Sequence, residues 1–469
     1  MGLDMGRGLS LSAMNLFGNA HSTRPMNKLL WPRRRLICAL AWAPAAPALA
    51  QFRIEISGVG ARQIPVVIAN FRGDDRAPVA LAAVVRADLQ RSGLFAPTDA
   101  PGNLPVQLDE RASIVAADWR ARGTDAVVAG SINRLADGRF DVRFKLWDVV
   151  KGEVLLGQNR VVSAADLRLT AHRIADEVQE KLSGERGVHA TRIVYVVKTG
   201  RRFALHVADS DGEGGQVALT SVEPIISPAW SPDGRELAYV SFETQKAVVW
   251  AQDVASGQRR ILADFRGSNS APAWSPDGQQ LALALSREGL TQLFVVGRNG
   301  GAPKRLTTSP SIDTEPVFTP DGRIIYFVSD RSGGPQIYRV GADGGTPERV
   351  TFSGNYNISP AISPDGKLLA FVTRQGNAYR VALQDVSGGA VQTGLQTGLQ
   401  TLTDTHDDES PSFAPNGRLL LYATRQQGRD VLMTTTLDGK IKTRLLTSGA
   451  DMREPAWGPF NKENNIEKP

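Results

Sequence analysis

The chain has 469 residues, 42% of them hydrophobic and 22% charged, with a formal net charge of +6. That length exceeds one ordinary core, so two domains or a repeat array is expected, and the composition is that of a soluble globular protein. The charge is concentrated: residues 1–50 carry Arg7, Arg24, Lys28, Arg33, Arg34 and Arg35 against Asp4, a net of +5 that leaves only +1 for residues 51–469. A body so close to neutral lacks the clustered cations that neutralise phosphates, which excludes nucleic acid as a partner.

Residues 1–50 read as an export signal. Arg33–Arg35 form a basic start, "LICALAWAPAAPALA" (Leu36–Ala50) an apolar run of 15, and Ala48–Ala50 a small-residue cleavage site. The run is too short to span a bilayer. "MNKLLWPRRR" opens a normal signal by itself, so Met26 is the expected start and the residues before it an over-extension. Cys38 follows Leu36 and Ile37 rather than small residues, which argues against lipid attachment. Cleavage after Ala50 gives a mature chain that begins at Gln51 and has no cysteine, suited to an oxidising compartment and incapable of thiol catalysis.

Residues 51–188 alternate strands and helices and form a small α/β domain. Gln51–Ser57 and Gln63–Phe71 read as strands, and Pro78–Gly93 as a helix with Leu81, Val84, Val85 and Leu89 on one face and Pro78 in its first turn. A short helix near Ile114–Arg122 precedes the apolar strand Asp125–Ile132. The next strand alternates cleanly, with Phe140, Val142, Phe144 and Leu146 facing one way and Asp141, Arg143 and Lys145 the other. A last helix places Leu167, Ala171, Ile174, Val178 and Leu182 on one side and stops at Gly184. The Gly- and charge-rich Ser183–Thr191 reads as the linker.

From residue 189 to 460 a repeat takes over. "PAWSPDG" stands at Pro228–Gly234 and again at Pro272–Gly278, with near-copies at Pro316, Pro360, Pro411 and Pro455. Asp233, Asp277, Asp321 and Asp365 are spaced by 44 residues, and Asn416 follows after 51. Pro, Asp and Gly in succession suit a tight turn between two strands, and four short strands per period of this length are the signature of a β-propeller blade. The final "EPAWGPF" (Glu454–Phe460) lacks a following strand, while Arg192–Val197, Phe203–Asp209 and Gln216–Ser221 lack a preceding one. Joined, they complete a sixth blade and seal the ring without free sheet edges. The tandem QTGL of Val391–Leu402 reads as a loop expansion in blade four, and residues 461–469 as a polar tail.

Catalytic signals are weak. There is no G-x-S-x-G, P-loop or dinucleotide fingerprint, and the four histidines of the expected mature chain (His172, His189, His206, His406) are scattered without metal spacing. "DSDGEGG" (Asp209–Gly215) resembles the start of a calcium loop but lacks its final Glu, and reads as a hairpin tip. The propeller instead offers a face. Residues preceding each P-A-W, namely Ile226–Ser227, Ser270–Ala271, Thr314–Glu315, Ile358–Ser359, Glu409–Ser410 and Arg453–Glu454, should gather at one mouth of the channel, with Asp313, Asp407 and Asp408 in the same loops. This mildly acidic ring suits a peptide or protein ligand and could hold calcium; no other cofactor is expected.

The layout of leader, α/β domain and six units carrying "SPAWSPDGRELAYVSFE", "NSAPAWSPDGQQLALALS", "DTEPVFTPDGRIIYFVSD" and a closing "REPAWGP" resembles the TolB family of the Tol–Pal envelope system, over nearly all of residues 51–460. The resemblance implies a non-enzymatic periplasmic monomer that binds the peptidoglycan-associated lipoprotein Pal through the propeller. It would thus be peripheral to the outer membrane through that partner alone, and would serve membrane integrity and cell division. It implies Pal contacts at Ser268, Asn269, Ser270, Ala271, Asp313, Thr314 and Glu315, to which the acidic ring adds Glu409, Arg453 and Glu454. The family's H-N-G-A-P loop is "SNSAP" here, a departure at Ser268 and Ser270. The segment Gln51, Phe52, Arg53, Ile54, Glu55 and Ile56 corresponds to the part that meets TolA or docks on its own molecule, and its alternation permits strand addition. The alternatives are a periplasmic hydrolase or carbohydrate-acting propeller, and a repeat protein with no defined ligand.

Overall fold

A computed structural model describes residues 56–57 (backbone course only), 63–102, 108–387, 399–445 and 450–461. The expected leader, Gln51–Glu55, residues 388–398 of the QTGL region and residues 462–469 of the tail lie outside the described residues.

Five strands build the N-terminal sheet: β2 (Ile64–Ile68), β3 (Phe95–Asp99), β4 (Ala126–Arg134), β5 (Phe140–Asp148) and β6 (Glu153–Val162), in the order β3-β2-β4-β5-β6. β2 runs parallel to β3 and β4, and the other pairings are antiparallel. Helices α1 (Leu81–Ser92) and α3 (Leu167–Ser183) cover one face, burying Leu81, Val85, Leu89, Leu167, Ile174 and Val178 against Val66, Ile68, Val128, Phe144 and Leu146. Each of these side chains contributes about 1.5–3 kcal/mol by leaving water. Trp119 of the short helix α2 (Ala116–Ala121) packs on the opposite face with Val67, Val127, Ala129 and Trp147. Gly93 and Gly184 end α1 and α3 in the left-handed conformation.

Helix α1 departs from expectation at its start. It begins at Leu81, so Pro78 stands outside it, and the Asp74 carboxylate accepts the N–H groups of Leu81 (2.7 Å) and Ala82 (3.1 Å) in place of a proline-led first turn. The Ser183–Thr191 linker, between the last helix and the first propeller strand, is packed into the structure. Val188, His189, Ala190 and Thr191 are buried, and Asp176 accepts the N–H groups of His189 (2.7 Å) and Ala190 (3.0 Å).

The propeller has six four-stranded blades. Their inner strands are Ile225–Trp230, Asn269–Trp274, Asp313–Phe318, Asn357–Ile362, Glu409–Phe413 and Asp451–Trp457. The last heads a sheet with Arg192–Thr199, Arg202–Asp209 and Gln216–Ser221, so both ends of the domain share blade six. Trp457 pairs with Ile193, and its indole N–H donates to Thr191 Oγ1 at 2.8 Å. At the repeated turns Gly234, Gly278, Gly322, Gly366 and Gly417 hold φ of 68–73°. In the first of these turns Asp233 Oδ1 accepts from Ser231 Oγ (2.6 Å) and the Arg235 N–H (3.1 Å). The motif is thus a turn former throughout.

The N-terminal domain sits on the turn side of blades five and six. Asn416 donates to the Arg186 carbonyl at 3.0 Å, Arg418 pairs with Glu185, and Ser210 donates to the His189 carbonyl at 2.8 Å. The short strand β1 (Ile56–Ser57) adds to the outer edge of blade five, Ile56 opposite Thr443 and Ser57 opposite Lys442. Among the described residues no helix is long and apolar enough to cross a membrane.

Candidate functional site

Each inner strand carries a bulge at the residue pair that opens P-A-W. The ladder to the second strand skips two residues, for example from Thr314 to Val317 and from Arg453 to Ala456. Proline has no N–H to give to the ladder, so the strand swells there. The residue before each proline turns left-handed: Ser227, Ala271, Glu315, Ser359, Ser410 and Glu454 all have φ between 49 and 53°. Non-glycine residues seldom adopt this conformation, and it recurs six times in one ring. With the following Pro-Ala-Trp-type residues the ring lines a channel cavity of about 420 Å³.

Two of the six ring residues tie blades together. Glu315 Oε2 accepts the Ser359 N–H of the next blade, and Glu454 Oε2 the Ser227 N–H of the next. Desolvation by the surrounding protein, reinforced by Glu454, pushes the Glu315 carboxyl up to about 7 against the Ser359 hydrogen bond. Glu409 is buried one residue before the ring. Burial, then Glu454, pushes it up to about 8, with Arg453 opposing. Glu409 and Arg453 line a crevice with Asp407 and Asp430, and Arg453 pairs with Asp430. Three buried oxygens here make no hydrogen bond: Glu315 Oε1, Glu409 Oε1 and Thr314 Oγ1.

The structure therefore brings Ala271, Glu315 and Glu454 together on the channel, with Ser227, Ser359 and Ser410, and sets Thr314, Glu409 and Arg453 just behind them. Asn269 and Asp313 are fully buried and knit their loops. The Asn269 amide holds Phe265 N–H and the Ala247 carbonyl, and Asp313 takes both oxygens to Arg331 at 2.8 and 3.0 Å. Ser270 is buried and donates to the Ala284 carbonyl at 3.3 Å, while Ser268 is half-exposed and its N–H donates to Ser286 Oγ at 2.7 Å. Asp408 is buried under Thr403, Thr405 and Thr424, whereas Asp407 is exposed. Of the N-terminal segment only Ile56 is described, paired to blade five.

Sequence spacing does not disclose a second cluster. His172 and His189, with no metal spacing in the sequence, join Asp88 and Asp211 in one buried group at the domain junction and are held there by hydrogen bonds, His172 with Asp88 at 2.6 Å and His189 with Gln179 at 3.1 Å.

The chain matches the TolB amino-terminal domain model over residues 52–155 and the TolB beta propeller domain model over 179–461. A Tol-Pal system protein TolB of Polaromonas sp. is 67% identical, covering 92% of this chain and 98% of its own length. The namesake of Dechloromonas aromatica is 61% identical, over 93% and 100%. The crystal structure of TolB from Acinetobacter baumannii superposes with a TM-score of 0.77 at 38% identity, covering 87% of this chain and 100% of that one. With both domains, all six blades and the channel ring accounted for, the chain belongs to the TolB family of Tol–Pal system proteins.

Proposed function

We propose that the protein is a non-enzymatic periplasmic adaptor that binds the lipoprotein Pal at the channel mouth away from its N-terminal domain, and so supports outer-membrane integrity and cell division. The observation that carries this reading is the group of buried, unpartnered oxygens on Thr314, Glu315 and Glu409. Polar atoms shut off from water are costly unless a partner meets them, and a bound protein loop bringing N–H or cationic donors would do so. A calcium ion held by the same carboxylates is the other way to meet them. The family's segment for TolA is the N-terminal one. Its described end is already paired to blade five, so TolA binding would compete with that pairing.

The test is calorimetry of the protein with the soluble domain of Pal, with and without calcium. Binding in the micromolar range or tighter is expected, weakened at least tenfold by Glu315→Gln or Thr314→Ile while the melting transition stays cooperative. Absence of heat under every condition would refute Pal as the partner.

A further inference from the structure

The two domains meet over a cluster of buried and half-buried ionic groups. Helix α1 supplies Asp88 and Arg91, α3 supplies Arg168, His172 and Asp176, the following segment supplies His189, and a hairpin tip of blade six supplies Asp209 and Asp211 with Glu213 at its rim. His172 Nδ1 lies 2.6 Å from Asp88 Oδ2 in its own domain. Its other ring nitrogen, Nε2, lies 3.6 Å from Asp209 Oδ2 and 3.8 Å from Asp211 Oδ2 in the propeller. Arg91 pairs with Asp88 at 2.9 Å, and Arg168 with Asp209 at 3.3 Å and with Asp211.

Charge decides what His172 is. Asp88, Asp209 and Asp211 lie nearest the ring and face two guanidiniums, with Asp176 and Glu213 adding to the acidic side of the cluster, so the carboxylates outnumber the guanidiniums and a proton on the imidazole offsets part of that excess. A divalent metal at the same atoms would have to drive Arg168 off Asp211, separating an ion pair whose carboxylate is buried, which low-dielectric surroundings penalise. His189 does not compete for the proton, since burial pushes it down to about 4.

We infer that His172, carried as an imidazolium, is the bolt that fixes the N-terminal domain to blade six, gripped by Asp88 on one side and by Asp209 and Asp211 on the other. Burial alone would expel its proton, but Asp88, then Asp209 and Asp211, outweigh this and raise the ring to about 10. The folded value lies above the ordinary 6.5, so the contribution is complete below about pH 6.5 and disappears as pH rises through about 10. The bolt is therefore closed throughout the neutral range. Each domain keeps its own apolar core without it, so withdrawing the bolt should loosen the junction and spare the folds.

Nitrogen NMR of the protein labelled with ¹⁵N-histidine tests this on the wild type. At pH 8 one histidine should show both ring nitrogens at imidazolium shifts, and that signal should vanish in His172→Asn. A neutral His172 at pH 8 overturns the inference, and so does loss of its Nε2 proton on adding equimolar zinc chloride, which would make the cluster a metal site. Hydrogen exchange read by mass spectrometry supplies the second arm. His172→Asn and Asp211→Asn should each speed exchange of the His189, Ala190 and Ser210 amides at least tenfold while residues 126–134 and 236–241 stay protected. Unchanged exchange at the three amides, or acceleration everywhere, overturns it.

Discussion

Glu315 Oε2 of blade three accepts the backbone N–H of Ser359 in blade four at 2.6 Å. Ladder hydrogen bonds run within blades, so this contact, like the Asn357 amide donating to Gln336 Oε1 at 2.8 Å, joins neighbouring blades across the seam between their sheets. Glu454 repeats it across the ring, accepting from Ser227 at 3.0 Å. The residue that forms the bulge in one blade thereby fixes the bulge in the next.

Removing that acceptor should cost stability, and removing only its charge should not. Glu315→Ala leaves the Ser359 N–H unpaired in a confined site and is expected to cost about 1–3 kcal/mol. Glu315→Gln keeps a carbonyl oxygen in place and should stay within about 1 kcal/mol. Urea titrations of the two variants at pH 6, where the carboxyl is largely protonated, give the comparison, and equal losses would show that the acceptor oxygen facing Ser359 is not what matters.

The raised acids of the channel make a signed pH prediction. Glu409 has a folded value of about 8 against an ordinary 4.5, and Glu315 one of about 7. A raised carboxyl contributes stability that is complete below about pH 4.5 and is lost as pH climbs through the folded value. The wild type should therefore lose stability relative to Glu409→Gln between pH 5 and 8.5. Melting temperatures of both proteins across that range check the direction, and parallel curves would refute it.

Much of this architecture is legible in the sequence, because turn chemistry is local. Asp233 and Gly234 announce their turn whatever the rest of the chain does, and a period repeated five times averages out accidents. The alternation of β5 is equally plain because Phe140, Val142, Phe144 and Leu146 share the helix-covered face while Arg143 and Lys145 on the other stay half-exposed. β6 escapes, since it is an edge strand largely open to solvent and shows no clean buried face, and β3 escapes because Pro97 interrupts it. The channel ring follows from the repeat, but the burial of Asn269 and Asp313 does not, as their loops use them as internal hydrogen-bonding posts. The Asp88–His172 contact spans 84 residues and leaves no spacing signal at all.

Ala271 tests the left-handed bulge most cleanly, since its side chain is a single methyl and it makes no polar contact to lose. At φ 49° a β-branched side chain crowds the backbone, whereas glycine is relieved. Ala271→Val should cost about 2 kcal/mol or more, and Ala271→Gly should remain within about 1 kcal/mol because relief offsets added chain freedom. Denaturant midpoints decide, and a tolerant Ala271→Val would mean that the bulge is set by Pro272 alone.

Closure of the ring should be the most sensitive joint, because blade six is assembled from residues about 250 apart in sequence. Trp457 is buried at 7% exposure, packs with Ile193 and Tyr195, donates its indole N–H to Thr191 Oγ1 and donates its backbone N–H to Ser412 Oγ at 2.9 Å. Trp457→Ala empties this site and should cost about 3–5 kcal/mol. Ending the chain after Ala450 should do worse, since it strips the inner strand from Arg192–Thr199 and leaves an apolar strand edge open to pairing with other molecules. Gel filtration should then report soluble aggregates rather than a monomer, and denaturant unfolding should lose its single transition. A truncated chain that stays monomeric and unfolds in one step would mean that five blades hold the ring without the sixth.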